Sequence, residues 1–121
     1  MEHPKSILIV DDSRVARMMT ARVIKEVYQD IVITEADSGE QCLQMLESAT
    51  PDLILMDINM GGIDGIETSS MILTANPDQN IAVCSANIQS GMQDKVTDLG
   101  ITFISKPILA EKLKSFVEQS K

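Results

Sequence analysis

The chain has 121 residues, 44% hydrophobic and 23% charged, the length and balance of one folded domain. Ten Lys and Arg stand against 18 Asp and Glu, a formal charge of −8, so the surface as a whole disfavours nucleic acid and other polyanions. Aromatics make up only 2%, which leaves the core to aliphatics and methionine. Cys42 and Cys84 are the only cysteines. With His3 in a polar tail they make no convincing Cys/His metal set, and two free thiols in a reducing cytosol are expected. No segment after Met1 resembles a signal peptide and no apolar run approaches the ~20 residues of a membrane span, so no membrane association is expected.

Strand and helix signals alternate along the chain. Ser6 to Val10 reads as a first strand, almost wholly apolar, as a strand covered on both faces should be. Ser13 to about Tyr28 reads as a helix capped by Asp12 or Ser13. Ala16, Met19, Val23 and Val27 recur on its expected inner face. Arg14, Arg17, Arg22 and Lys25 make a basic cluster on the same helix, read from the residues alone as a solvated face. Ile31 to Ala36 is a second, more polar strand. Ser38 to about Ser48 is a second helix, with Ser38 and Gln41 at capping-box spacing and Cys42, Met45 and Leu46 inward. Asp52 to Met56 is the third strand, Asp64 to about Thr74 the third helix, and Ile81 to Cys84 the fourth strand. Ile88, Met92, Val96 and Leu99 stripe a fourth helix, which Gly91 softens by ~1 kcal/mol and Gly100 closes. Ile101 to Ile104 is the fifth strand. After Pro107 comes a last helix with Leu109, Leu113, Phe116 and Val117 inward. Five strands alternating with five helices predict an α/β domain with a doubly wound, five-stranded parallel sheet. No repeat or linker interrupts it, so residues 1–121 read as one domain.

Four of the strands run into reactive polar residues: Asp11-Asp12, Asp57, Ser85, and Lys106 after Ser105. In a parallel sheet these exits share one edge, where open α/β sheets bind ligands at the point of strand-order reversal. Taken singly, Asp11-Asp12 is a helix cap, Asp57 opens a turn and Lys106-Pro107 starts a helix. Their joint placement carries the inference. Clustered carboxylates resist ionisation unless a cation shares the site, and Mg²⁺ takes oxygen ligands. A carboxylate is also a possible nucleophile toward phosphorus. An ammonium and a hydroxyl suit a transferring phosphoryl group.

The segments Ile9-Val10-Asp11-Asp12-Ser13, Leu55-Met56-Asp57-Ile58-Asn59-Met60, Asp64-Gly65, Ser85-Ala86 and Lys106-Pro107 resemble the receiver domain of bacterial two-component response regulators, in its stand-alone chemotaxis-type form. The resemblance covers essentially the whole chain. It implies a flavodoxin-like sheet of strand order 2-1-3-4-5, which places the reversal between the first and third strands. It also implies that Asp57 is the phosphoacceptor, served by a sensor histidine kinase or phosphotransfer protein. Asp11, Asp12, Asp57 and the Asn59 carbonyl would hold Mg²⁺ (or Mn²⁺), with Asp11 acting through water. Ser85 and Lys106 would hold the phosphoryl oxygens, and Phe103, which reads as plain core on residue type alone, would be an aromatic switch. Asn59 and Asn87 would tune hydrolysis of the acyl phosphate, and the Lys106-Pro107 bond would be cis. The first helix would face the kinase. The fourth helix, fifth strand and fifth helix would present a changed surface to a downstream target.

Several positions depart from that pattern. Gly61-Gly62 stands where Pro usually follows Asn59-Met60, so a looser loop is expected. Ile101 stands where Ala is usual and Ser85 where Thr is commoner. Two other classes frame the reading. An aspartyl-nucleophile phosphatase usually carries a second Asp two residues on, where this chain has Asn59, and needs a cap insertion absent here. A receiver-like scaffold that is never phosphorylated would not need the complete acidic set and Lys106.

Overall fold

Five parallel strands form the sheet: β1 (Ser6–Val10), β2 (Val32–Ala36), β3 (Leu53–Asp57), β4 (Asn80–Ser85) and β5 (Thr102–Ser105), in the order β2-β1-β3-β4-β5. Between them run α1 (Arg14–Val27), α2 (Gly39–Met45), α3 (Gly65–Ala75), α4 (Ser90–Leu99) and α5 (Ala110–Gln119). This computed structural model describes all 121 residues.

The apolar strands form because both faces of the sheet are covered. All five residues of β3 and the last four of β1 are buried. Alternate side chains point to opposite faces. Ile7, Ile9, Leu53 and Leu55 join Ile24 of α1 and Leu113 of α5 in one cluster. Leu8, Val10, Ile54 and Met56 join Cys42 of α2 and Ile72 of α3 in the other. Each fully buried Leu or Ile contributes about 1.5–3 kcal/mol of transfer free energy. Both cysteines are buried and unpaired, and burial pushes each thiol up to about 12. Register brings Asp57 level with Cys84 and Ser85 level with Ser105, so the polar strand exits lie along one edge.

Helix ends follow the expected chemistry. The side chains of Ser13, Ser38 and Asp64 accept hydrogen bonds from Ala16 N–H, Gln41 N–H and Glu67 N–H and so cap α1, α2 and α3. Gly100 closes α4 at φ 71°, in the left-handed region that favours glycine. The Lys106-Pro107 bond is cis. No helix is long and apolar enough to cross a membrane.

Five local expectations need correction. The Ser38/Gln41 box is not reciprocal: Gln41 Oε1 accepts from Asp37 N–H at 2.6 Å, one residue before the cap. Regular α2 stops at Met45 rather than Ser48, because the Glu47 and Ser48 amides bond three residues back, to Gln44 and Met45, and tighten the last turn. Helix α4 begins at Ser90, so Ile88 packs on the core from the preceding loop. Met19 is 60% exposed and Leu109 50% exposed rather than inward. The early turns of α1 face the Lys106–Leu109 segment across an open cavity of about 500 Å³, and both residues line it.

Candidate functional site

The carboxyl ends of β1 and β3 set two acids side by side. Asp11 N–H donates to Ala36 O at 3.1 Å, carrying the β1–β2 pairing one residue past the strand. Its side chain is then fixed twice. Asp11 Oδ1 accepts from Ser13 N–H at 2.9 Å and Oδ2 from Lys106 Nζ at 2.9 Å. Asp12 stands exposed between Asp11 and the α1 cap. Asp57, the last residue of β3, is 7% exposed. Carboxylate oxygens of Asp11, Asp12 and Asp57 lie within 4.8 Å of one another.

Lys106 leaves β5 and crosses this cluster. Its backbone N–H donates to Ser85 O at 2.9 Å, and its ammonium lies 2.9 Å from Asp11 Oδ2 and 3.2 Å from Asp57 Oδ1. Burial, reinforced by the Asp11 charge and only partly offset by Lys106, raises the Asp57 carboxyl above the usual 3.8. For Lys106, burial works against the ammonium, but its bonds to Asp11 and Asp57 prevail and raise it overall. Two of the three carboxylates therefore share the one ammonium, and the remaining negative charge faces solvent through Asp12. The donors are all hard oxygens, two buried and one open, which fits a small divalent cation better than a soft metal.

Ser85, at the end of β4, is 1% exposed. Its hydroxyl donates to Asn87 O at 2.7 Å and accepts from Asn87 N–H at 3.2 Å and from Asn59 Nδ2 at 3.3 Å. The structure thus ties Asn59 and Asn87 to Ser85, one through its side chain and the other through its backbone. Phe103 is not among these groups. It is partly buried on β5, packs on the second core cluster, and lines a surface cavity of about 420 Å³ with Phe116 and Lys112 of α5.

Two residues at the site escaped the sequence reading. Arg17 is not a solvated charge: its guanidinium donates to Asp11 O at 2.6 Å and to Glu35 at 2.8 Å. The only sequence signal was its place one turn into the helix after the acidic pair. Gly65, noted only as part of a motif, is required by a close approach. A Cβ there would strike the Asp57 backbone carbonyl, while Gly65 N–H donates to Ile58 O at 3.0 Å.

The family model of the response regulator receiver domain matches residues 7–118. The chemotaxis protein CheY of Listeria monocytogenes is 30% identical over 94% of this chain and 96% of its own length. The nitrate/nitrite response regulator NarL of Escherichia coli is 35% identical over 81% of this chain, which spans 44% of that longer protein. Among solved structures, a two-component response regulator from Cytophaga hutchinsonii superposes with a TM-score of 0.86 at 23% identity, over 97% of this chain and 96% of that one. The chemotaxis protein CheY4 of Vibrio cholerae gives 0.85 at 21%, over 98% and 99%. At those identities the two structures speak to the fold. The chain belongs to the response regulator receiver domain family. It is CheY-like in extent, and its activity is that of a two-component signalling switch.

Proposed function

We propose that Asp57 is the phosphoacceptor of this receiver and that a sensor histidine kinase or phosphotransfer protein is the donor. The supporting observation is the Lys106 ammonium held between Asp11 and Asp57, at 2.9 and 3.2 Å, beside an open third carboxylate. An Asp57 oxygen forms a bond to phosphorus as the bond from phosphorus to the donor imidazole nitrogen breaks. The imidazole keeps the electron pair. Asp11, Asp12, Asp57 and the Asn59 carbonyl are the residues that would hold Mg²⁺ (or Mn²⁺), Asp11 through water. Bound there, the ion supplies the positive charge that lets the acids ionise together and neutralises phosphoryl oxygens.

The chain's own groups do the rest. Lys106 neutralises charge on the transferred group, and the Ser85 hydroxyl donates to one of its oxygens after leaving Asn87 O. The added charge is about −1.5 to −2. The movement of Ser85 opens space for Phe103 to turn inward, which shifts α4 and β5 toward a second state. Output is then a changed surface on α4, β5 and α5 read by a downstream protein. Asn59 and Asn87 set how readily water attacks the acyl phosphate, so the domain catalyses its own dephosphorylation. The donor docks against α1, where Val15, Met18 and Met19 are exposed beside Arg14, with Leu109 across the cavity from Met19.

The test is intact-protein mass after incubation with acetyl phosphate. One phosphoryl addition is expected, dependent on Mg²⁺ and absent in Asp57→Asn. Addition that persists in that variant would remove Asp57 from its role.

A further inference from the structure

The segment Ile58–Asp64 joins Asp57 to α3 and contains Asn59. Consecutive glycines at 61 and 62 should leave such a segment loosely determined, yet the first turn of α2 grips it. Gly62 sits at φ 75°, and a Cβ there would lie 2.8 Å from Glu40 Oε2 and 3.0 Å from Oε1. The Glu40 carboxylate therefore occupies the space that a side chain at 62 would need. Glu40 Oε1 also accepts from the next amide, Ile63 N–H, at 3.3 Å. The approach is reciprocal. A Cβ on Gly39 would lie 2.7 Å from Ile63 Cγ1 and 2.9 Å from Cδ1 and would strike Thr68 Oγ1 of α3. Gly62 admits Glu40, and Gly39 admits Ile63. By contrast, Gly61 has no atom within 4 Å of where its Cβ would be, so the grip is specific to 62 and 63.

We propose that Glu40 is a positioning residue for the phosphorylation site: by accepting from Ile63 N–H and packing on Gly62, it holds the Ile58–Asp64 segment so that the Asn59 backbone faces the acidic cluster. The inference rests on the reading of Asp57 and its metal site given above. It goes further by assigning a role to a helix that contributes no group to the site. Glu40 acts through acceptor geometry. Its charge is secondary, so glutamine, which keeps an oxygen at the same reach, should substitute for it.

Two measurements on the full chain test this. The first is amide hydrogen exchange at Ile63 and its loop neighbours in metal-free protein. The second is the Mg²⁺ dissociation constant by calorimetry, with Asp12→Ala as the variant that loses binding. Glu40→Ala should speed Ile63 exchange and weaken Mg²⁺ each by about fivefold, the factor carried by one ordinary hydrogen bond. Glu40→Gln should restore both to within about twofold. Faster exchange with unchanged Mg²⁺ affinity would make Glu40 a loop brace only and overturn the proposal. So would a Glu40→Gln protein that loses Mg²⁺ as Glu40→Ala does, since charge alone would then explain the loss. Wild-type protein that neither binds Mg²⁺ nor gains a phosphoryl group would instead defeat the site reading beneath it.

Discussion

Asp57 is buried, faces Asp11, and has its proton affinity raised for both reasons, burial first. The folded chain therefore keeps that proton to higher pH than the unfolded chain, whose Asp releases it near the usual 3.8. Below 3.8 the group favours neither state. As pH rises through the higher folded-state value, the unfolded chain gains and stability falls. In metal-free protein, Asp57→Asn should thus melt at a higher temperature than the parent at neutral pH. The gap should close as pH is lowered toward 3.8, and thermal melts with a chelator at several pH values check the slope. A gap of constant size would mean that the carboxyl is not the source. The acids and Lys106 were legible in the sequence because their chemistry depends on residue type and strand-exit position. Arg17 was not, because a basic residue on a helix surface looks the same whether it faces water or, as here, Asp11 O and Glu35.

At the scale of elements, the site depends on α3 being able to approach the end of β3. Gly65 allows it, with its N–H on Ile58 O and no Cβ to meet the Asp57 carbonyl. Gly65→Ala must push α3 away or tilt the peptide after Asp57. A loss of about 1–3 kcal/mol is expected from such overpacking, read as a lower urea midpoint at unchanged slope. Element order and strand content could be read from hydrophobic runs because a sheet covered on both faces demands them. Strand order came from family resemblance, not from periodicity. Helix faces were less legible. The stripe through Ala16, Met19 and Val23 has the right spacing for a core, but the early turns of α1 border an open cavity. Where a helix lacks a packed neighbour, periodicity alone does not bury a side chain. The early end of α2 was hidden for a related reason, since i→i−3 bonding after Met45 leaves no mark on residue type. The grip of Glu40 on Gly62 and Ile63 joins segments over twenty residues apart, and no local pattern reports it.

For the whole molecule, the residual negative charge of the acidic cluster means that a cation held there would add to stability. A ligand held only by the folded state, at a hundredfold excess over its Kd, stabilises by about 2.7 kcal/mol. Mg²⁺ should therefore raise the melting temperature by several degrees, and Asp12→Ala should abolish the rise while changing the metal-free melt little, because Asp12 is exposed and makes no ion pair. Equal shifts in both proteins would point to binding elsewhere. The hydroxyl of Ser85 acts at the same scale. At rest it is held by the carbonyl and amide of residue 87 rather than by that residue's side chain. In the switch proposed above, each bond would tilt the equilibrium between the two forms by about fivefold toward the unphosphorylated one. That tilt belongs to the backbone. Any residue at 87 other than proline would preserve it, so if that side chain governs the lifetime of the acyl phosphate as proposed, it can change how long a message lasts without altering how silent the protein is before one arrives.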